Sequence, residues 1–470
     1  MLIRLTIALS FLVVTSSTAR ADLLWGINGH PAVSYPGVEI NRQLDYVKDL
    51  GMKSYRVDIP DAAAADILAT LVVEGKKRGI AILPVITPNN IDRDKDSVNE
   101  LYQKAHDLAV RLAARFKDDI RVWELGNEME TYAIIQPCEM RDDGSQYPCE
   151  WGPAGGNSAL EYYGPRWIKV SAVLKGLSDG IAEVDPGLRK AVGTAGWGHT
   201  GAFERMYQDG IKWDISVWHM YGEDPEWAFK ELARYERPIW VTELNNPNGS
   251  QKSEQHQVDG LKKSMKRLVE LRDTYDVEAA HVYELLDETY WAPDFEAYMG
   301  LVRLTAKSDG GWSAGEPKPS YFAVRELIRG PVSQSTPNRE CDLASNQGAD
   351  SVPVQQARFA FCLILGRDGD QGSLRHWTSA LEAGASITDM MGALMRSDEF
   401  SGRYSTYAMN DREYVGFLYP LLLGRPADGG GVESYAMQLR DGKMTRESVA
   451  IGMMTSSEFN DKHGASLGAM

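Results

Sequence analysis

The chain has 470 residues, of which 43% are hydrophobic and 25% are charged, a globular composition whose length indicates more than one domain. Its 66 acidic residues exceed its 50 basic residues, which gives a formal net charge of −16. Such a surface repels phosphate backbones and anionic membranes, so we expect neither nucleic acid nor an anionic membrane as a partner.

The first 21 residues have the pattern of a secretory signal. Arg4 precedes an apolar run over residues 5–14, and the segment ends in Ala19-Arg20-Ala21, a small-x-small cleavage site. The apolar run is too short to span a bilayer. Removing Arg4 and Arg20 from the 50 basic residues leaves 48 against 66 acidic ones, a formal −18. We predict a secreted chain, extracellular or periplasmic, without a transmembrane segment.

From residue 22 to residue 332, short apolar runs alternate with amphipathic helical stretches, which predicts a parallel sheet wrapped by helices. The predicted strands are Leu24–Ile27, Ser54–Ile59, Ala81–Ile86, Val122–Leu125, Ala191–Ala195, Ile215–His219, Ile239–Glu243 and Ala280–Glu284. The predicted helices include Ile40–Leu50, Asp61–Arg78, Val98–Phe116, Tyr163–Glu183 and Gln255–Tyr275. Eight such units match an α/β fold of the (β/α)8 TIM barrel type with insertions. The alternative is a doubly wound open sheet, but no glycine-rich phosphate turn follows the first strand.

The four cysteines form two sequence-local pairs, Cys138 with Cys149 and Cys341 with Cys362. An exported chain meets an oxidising environment in which disulfides persist. Neither pair has the spacing or the neighbouring histidine that a zinc site requires. We therefore predict two disulfides, the first within a single loop, and neither a metal nor another cofactor.

A segment rich in Pro, Ser, Asn, Gln and Asp, residues 333–353, reads as a linker to a second domain over residues 354–470. In that domain Leu363–Arg367 recurs as Leu421–Arg425, and Ser397–Phe400 recurs as Ser456–Phe459. This internal period of about 58 residues predicts a small all-α domain made of two repeats. The repeat resembles the bacterial domain of unknown function 4214, over most of residues 355–462, and that resemblance implies helices without a chemistry.

Two of the predicted barrel strands end in a glutamate. Asn127-Glu128 follows the fourth strand and opens into a long loop, and Glu243 closes the seventh strand. The carboxyl ends of barrel strands all meet at one rim, so both carboxylates belong to the same face. Glycoside cleavage needs such a pair, one acid to protonate the leaving oxygen and one carboxylate to attack the anomeric carbon or activate water. A single glutamate at a strand end would more often be a surface residue.

An Asn-Glu pair after strand 4 and a Glu at the end of strand 7 resemble clan A of the glycoside hydrolases. The resemblance implies that Glu128 is the general acid/base, that Glu243 is the nucleophile, and that Asn127 donates to the sugar 2-hydroxyl. Such enzymes need an ionised nucleophile and a protonated acid, so we expect a cation beside Glu243 and apolar neighbours beside Glu128. The opening motif, residues 25–31, is closest to family 39-like or family 5-like hydrolases of bacterial exopolysaccharides.

Further substrate-binding residues are implied by the same resemblance. Arg56 on the second strand resembles the clan's strand-2 arginine, although Asp58 is an alternative partner for its charge. The pattern His-x-Tyr places His219 and Tyr221 on one side of the sixth strand. Trp291, after the eighth strand, is at the place where many of these enzymes stack a tryptophan on the sugar.

Residues on other rim loops complete the predicted cleft. Asn28 and His30 follow the first strand, and several aromatic side chains offer flat apolar faces that suit pyranose rings. Each of these aromatic residues alone could belong to the core, but as a group they favour a cleft for several sugars. The aromatic residues are Trp197, Trp151, Tyr132, Tyr147 and Tyr283.

Together these patterns predict a secreted retaining hydrolase that cleaves β-glycosidic bonds of a polysaccharide. One alternative is a non-catalytic protein that binds carbohydrate or the cell envelope on a degenerate hydrolase barrel. Another is a barrel that serves as a carrier, with adhesion to the envelope or matrix provided by the C-terminal repeat domain.

Overall fold

The structure, a computed structural model, describes residues 22–308, 310–329, 341, 350–404, 406, 409, 411–440 and 443–467. The predicted signal lies outside these residues, as does the predicted linker apart from Cys341 and residues 350–353. Within the described part of the chain, no helix has the length and apolar character needed to cross a membrane.

The predicted barrel is confirmed. Eight parallel strands close on themselves in chain order, with β8 paired to β1. The strands are β1 Leu24–Gly29, β2 Ser54–Ile59, β3 Ala81–Ile86, β4 Val122–Leu125, β5 Arg189–Thr194, β6 Ile215–Tyr221, β7 Ile239–Asn245 and β8 Val277–Val282. The last strand ends earlier than predicted, so Glu284 lies beyond it in the loop. Every strand carries its carboxyl end to the same rim.

Eight helices surround the barrel. They are α1 Ile40–Leu50, α2 Ala65–Arg78, α3 Val98–Phe116, α4 Gly164–Val184, α5 Gly201–Gln208, α6 Glu226–Leu232, α7 Glu254–Tyr275 and α8 Pro319–Arg329. A two-stranded antiparallel hairpin, β9 Val302–Ala306 and β10 Trp312–Pro317, is inserted before α8. Sequence analysis did not predict this hairpin, because its strands are short and few of their residues are buried.

The helices that flank β4 show how local sequence fixes this part of the barrel. Helix α3 begins at a capping box, in which Ser97 Oγ accepts from the Glu100 backbone N–H and Glu100 Oε2 accepts from the Ser97 N–H at 2.8 Å. Helix α4 packs closely on α3, since a Cβ at Gly176 would lie 2.4 Å from the Tyr102 carbonyl oxygen. This helix pair packs outside β4, the strand that Glu128 follows.

The C-terminal region is helical, as predicted, and has a hydrophobic cluster separate from that of the barrel. Its α-helices are α9 Val352–Ala360, α10 Gln371–Glu382, α11 Ile387–Met395, α12 Asp398–Tyr404, α13 Asp411–Leu418, α14 Gly429–Arg440, α15 Arg446–Met454 and α16 Ser457–Leu467. Two single π-helical turns, Phe361–Leu365 and Tyr419–Leu423, fall on the repeated Leu-rich motif. Both predicted disulfides, Cys138–Cys149 and Cys341–Cys362, are present.

A buried ion pair fixes the loop that follows β8. Lys318 is 2% exposed, and its Nζ donates to Asp287 Oδ1 at 2.5 Å, to Ser250 Oγ at 2.9 Å and to the Tyr298 carbonyl at 3.3 Å. The ammonium thereby joins the loops after β7 and β8 to the start of α8. Removing it would leave the Asp287 carboxylate buried without its partner, which is costly in an apolar interior.

We therefore predict that Lys318→Met lowers the free energy of unfolding in urea by about 3–5 kcal/mol. Lys76→Met is the matched control, because Lys76 Nζ lies 3.4 Å from Asp119 with 80% of its side chain exposed. The control should lose less than about 1 kcal/mol. Equal small losses in both variants would contradict the assigned role of Lys318.

Candidate active site

The two glutamates predicted from the strand ends meet at the carboxyl rim of the barrel. Glu243 lies within β7 with 6% of its side chain exposed, whereas Glu128 follows β4 with 34% exposed. One oxygen of each carboxylate and one ring nitrogen of His219 lie within 4.8 Å of one another. Glu128 has a φ of 46°, a left-handed conformation that is uncommon outside glycine and that is often found at functional sites.

Arg56 from β2 lies beneath this pair and is 2% exposed. Its guanidinium makes five hydrogen bonds: two to Glu124 at 2.7 and 2.8 Å, and one each to Glu243 at 2.8 Å, Asn28 Oδ1 at 2.7 Å and Asn127 Oδ1 at 2.8 Å. Burial lowers the pKa of Arg56, but the charges of Glu124 and Glu243 raise it by more. The cation expected beside Glu243 is therefore Arg56, and it remains charged.

His219 and Tyr221, on β6, both face the carboxylates. His219 Nδ1 lies 2.7 Å from Glu128 Oε1 and 3.3 Å from Glu243 Oε2, while the Tyr221 hydroxyl donates to Glu243 Oε2 at 2.6 Å. Strand β6 has a register shift against β7 between Trp218 and His219, which sets His219 opposite Glu243. Glu243 is thus held by three side chains from two strands.

The electrostatics of Glu128 differ from the sequence-based expectation. Burial raises the pKa of this carboxyl, but the hydrogen bond and charge of His219, together with the charge of Arg56, lower it by more. Burial likewise lowers the pKa of His219, and the charges of Glu243 and Glu128 raise it above its ordinary value. The expectation of apolar neighbours beside Glu128 is wrong, because His219 lies there and lowers the pKa of this carboxyl.

Two of the predicted substrate-binding residues, Asn28 and His30, make contacts other than those expected of cleft residues. Asn28 is within β1 and 1% exposed, and its Nδ2 donates to the Thr242 and Val282 carbonyls at 2.8 and 3.1 Å. With Oδ1 accepting from Arg56, every hydrogen of its amide is used, so Asn28 cross-links strands. His30 belongs to a separate cluster, in which Nδ1 contacts Asp58 and Nε2 lies 3.2 Å from Glu284.

The predicted aromatic residues divide into exposed and buried groups. Trp197, Trp291 and Trp151 expose 65%, 57% and 57% of their surface, respectively, on the loops after β5, β8 and β4. Tyr147 is core, at 5% exposed, and packs edge-on against Trp151. The remaining two, Tyr132 and Tyr283, are half-buried; Tyr283 lies between His30 and Tyr221.

Sequence analysis missed several acidic residues of the site. Glu124 interrupts the apolar strand β4, which was a usable signal, and it takes two hydrogen bonds from Arg56. Glu288 and Glu296 lie in the loop after β8, where no periodicity marks them. Burial first, and then the charges of Glu243 and Glu288, raise the pKa of Glu296 to about 7. This side of the cleft is therefore rich in negative charge.

Comparison with known proteins adds one family match. The model of a family described as a domain of unknown function, DUF4214, matches residues 391–463, which confirms the resemblance of the C-terminal repeat. None of the curated proteins matches the chain.

Solved structures that align with the chain include several β-glycosidases. The β-glycosidase BGL167 is 15% identical, with a TM-score of 0.47 over 66% of this chain and 96% of its own. The β-glucosidase from Thermotoga maritima in complex with cyclophellitol is 12% identical, with a TM-score of 0.49 over 66% of this chain and 98% of its own.

The hydrogen bond between His219 and Glu128 can be tested without a substrate. In Glu128→Gln the carboxylate that accepts from His219 becomes a neutral amide, so we predict that the pKa of His219 falls. The pKa is measured by NMR titration of the imidazole resonances, with His219→Gln used to assign the signal. Glu223→Gln, which changes a carboxylate four residues after His219, is the control and should leave the value nearly unchanged. An unchanged or higher pKa of His219 in Glu128→Gln would show that the Glu128 carboxylate does not stabilise the protonated imidazole.

Proposed function

We propose that this protein is a secreted retaining glycoside hydrolase that cleaves β-glycosidic bonds of a polysaccharide, with Glu128 as acid/base and Glu243 as nucleophile. The observation that carries the proposal is the carboxylate pair at the barrel rim, with one oxygen of each within 4.8 Å. Retaining enzymes hold their carboxyl groups roughly 5–5.5 Å apart, whereas inverting enzymes hold them roughly 6.5–9.5 Å apart to admit a water molecule. The spacing therefore favours direct attack.

The contacts of each glutamate support its role. Glu243 accepts from Arg56 at 2.8 Å and from Tyr221 at 2.6 Å, so two donors orient the carboxylate that is proposed to attack the sugar. In the first step a Glu243 oxygen bonds to the anomeric carbon as the glycosidic bond breaks, and Glu128 gives its proton to the leaving oxygen. In the second step Glu128 takes a proton from water, and that water displaces Glu243.

Glu128 must be protonated for the first step, although His219 lowers its pKa in the free protein. A bound sugar would cover the exposed third of the Glu128 side chain, and loss of water raises the pKa of a carboxyl. The proton on His219 can then pass to Glu128 along the 2.7 Å hydrogen bond between them. We infer that substrate binding itself causes Glu128, the general acid, to become protonated.

A polysaccharide is the substrate class that the rim loops favour. Three tryptophans with large exposed faces lie on different rim loops, and such flat apolar faces suit sugar rings. The two disulfides are compatible with an oxidising compartment. We propose that the helical repeat domain contributes contact with the cell envelope or matrix and no chemistry.

A panel of β-linked polysaccharides, assayed with the mature chain for new reducing ends, tests the proposal. Glu243→Gln should abolish release while leaving binding to the same polysaccharide within a few-fold. Binding by the wild-type protein without release from any polysaccharide would favour the non-catalytic alternative.

Azide separates the roles of the two carboxylates on an activated aryl glycoside. In Glu243→Ala the attacking group is missing, so azide should take its place and form a glycosyl azide of inverted configuration. In Glu128→Ala the base for water is missing, and azide, which needs no base, should intercept the glycosyl-enzyme and give retained configuration. NMR of the anomeric proton reads both outcomes. If Glu243→Ala gave retained configuration and Glu128→Ala gave inverted configuration, the roles assigned to the two glutamates would be exchanged.

A further inference from the structure

A second cluster of acceptor groups lies beside the proposed catalytic pair and plays no part in that chemistry. His30 follows β1, Glu284 follows β8, and Glu288 lies further along the β8 loop. One ring nitrogen of His30 and one oxygen of each carboxylate all lie within 4.8 Å of one another. Closure of the barrel, which pairs β1 with β8, brings these three side chains together.

Two members of this cluster, His30 and Glu284, have buried polar atoms without a hydrogen-bond partner among the described residues. Glu284 is 0% exposed, and neither of its oxygens has a hydrogen-bond partner among the described residues. His30 Nε2 is likewise unpaired, although it lies 3.2 Å from Glu284 Oε2. Glu243, by contrast, accepts from both Arg56 and Tyr221. Buried carboxyl groups without a hydrogen-bond partner are rare in proteins, and a bound cation is one partner that would satisfy them.

Asp58 prepares His30 for a cation. The Asp58 carboxylate contacts His30 Nδ1, so the proton of a neutral imidazole stays on that nitrogen and the lone pair of Nε2 points toward Glu284. Metal-binding histidines commonly have this arrangement, in which a carboxylate holds the nitrogen that does not bind the metal. When His30 is neutral, its Nε2 and the two carboxylates therefore offer lone pairs to one point.

We propose that His30, Glu284 and Glu288 bind a divalent transition-metal ion of the Zn²⁺ or Mn²⁺ class. One imidazole and two carboxylates are ligands that such ions accept, with water completing the shell. Ca²⁺ fits less well, because it prefers six or more oxygen ligands. The depth of Glu284 and Glu288, which are 0% and 6% exposed, favours a small ion over an ammonium group on a sugar. The sequence had predicted no metal, because its cysteine pairs lack zinc-like spacing and His30 lies far along the chain from Glu284 and Glu288.

The ion would join the end of β1 to the loop after β8, which carries Trp291, a residue predicted to stack on the sugar. Glu288 also accepts from the Tyr290 hydroxyl, and the Tyr290 ring lies 5.7 Å from that of Trp291. A metal bound to Glu288 would therefore tie Trp291 to the end of β1. This site does not depend on the proposed hydrolase activity, since its occupancy is measured directly.

Isothermal titration of ZnCl2 into the full mature chain, freed of any polyhistidine tag and stripped with EDTA, tests the proposal. We expect one saturable site per chain, and parallel titrations with MnCl2 and CaCl2 should rank Ca²⁺ weakest. Glu288→Gln should weaken Zn²⁺ binding by at least about 100-fold, and Asp58→Asn by about 10–100-fold, because Asp58 acts through His30. Zn²⁺ should raise the melting temperature of the wild-type protein and leave that of Glu288→Gln unchanged.

Glu296→Gln is the matched control, because it removes an acidic residue from the same loop without touching the three ligands. It should change Zn²⁺ affinity by less than about threefold, where Asp58→Asn changes it by the 10–100-fold typical of such partners. If circular dichroism shows that Glu284→Gln is folded, this variant should also lose Zn²⁺ affinity. If it is not folded, Glu288→Gln, at a less buried position, decides whether the cluster binds the ion. No saturable binding in the wild type, binding that survives Glu288→Gln, or tighter binding of Ca²⁺ would each overturn the proposal.

Discussion

The buried guanidinium of Arg56 is the interaction on which the rest of the site depends. Its five hydrogen bonds reach side chains from β1, β4 and β7, so one group sets the relative positions of Asn28, Glu124, Asn127 and Glu243. A buried cation is stable only when it is fully paired, and the planar fork of arginine can satisfy several acceptors at fixed angles. Lysine has neither the reach nor the geometry for this arrangement. The strands β1, β4 and β7 are thus linked through the Arg56 guanidinium.

The charge balance around Arg56 explains the state of the residues above it. One guanidinium faces the carboxylates of Glu124 and Glu243, and Glu128 adds a further negative charge at the rim. The excess negative charge favours a proton on His219, which contacts both Glu128 and Glu243. A proton on His219 lies one hydrogen bond from the proposed acid, Glu128.

Much of this arrangement was predictable because a barrel converts strand order into spatial position. The ends of β4 and β7 carried Glu128 and Glu243 to one rim, and the alternation of β6 placed His219 and Tyr221 together. Glu124 was missed because four residues of β4 are too few to show which face is internal. The cluster of His30, Glu284 and Glu288 was missed because its members follow the first and last strands, and only ring closure makes those strands neighbours. Loop residues such as Glu296 have no period from which their direction can be read.

The central claim is that Glu243 becomes covalently bonded to the sugar. Activated 2-deoxy-2-fluoro β-glycosides of gluco, galacto and manno configuration slow both chemical steps and let the glycosyl-enzyme accumulate. Mass spectrometry of the intact chain, followed by peptide mapping, should then find one sugar on Glu243 in the wild type and none in Glu243→Gln. A sugar attached to Glu128, or hydrolysis that proceeds with inversion and without any adduct, would contradict the account.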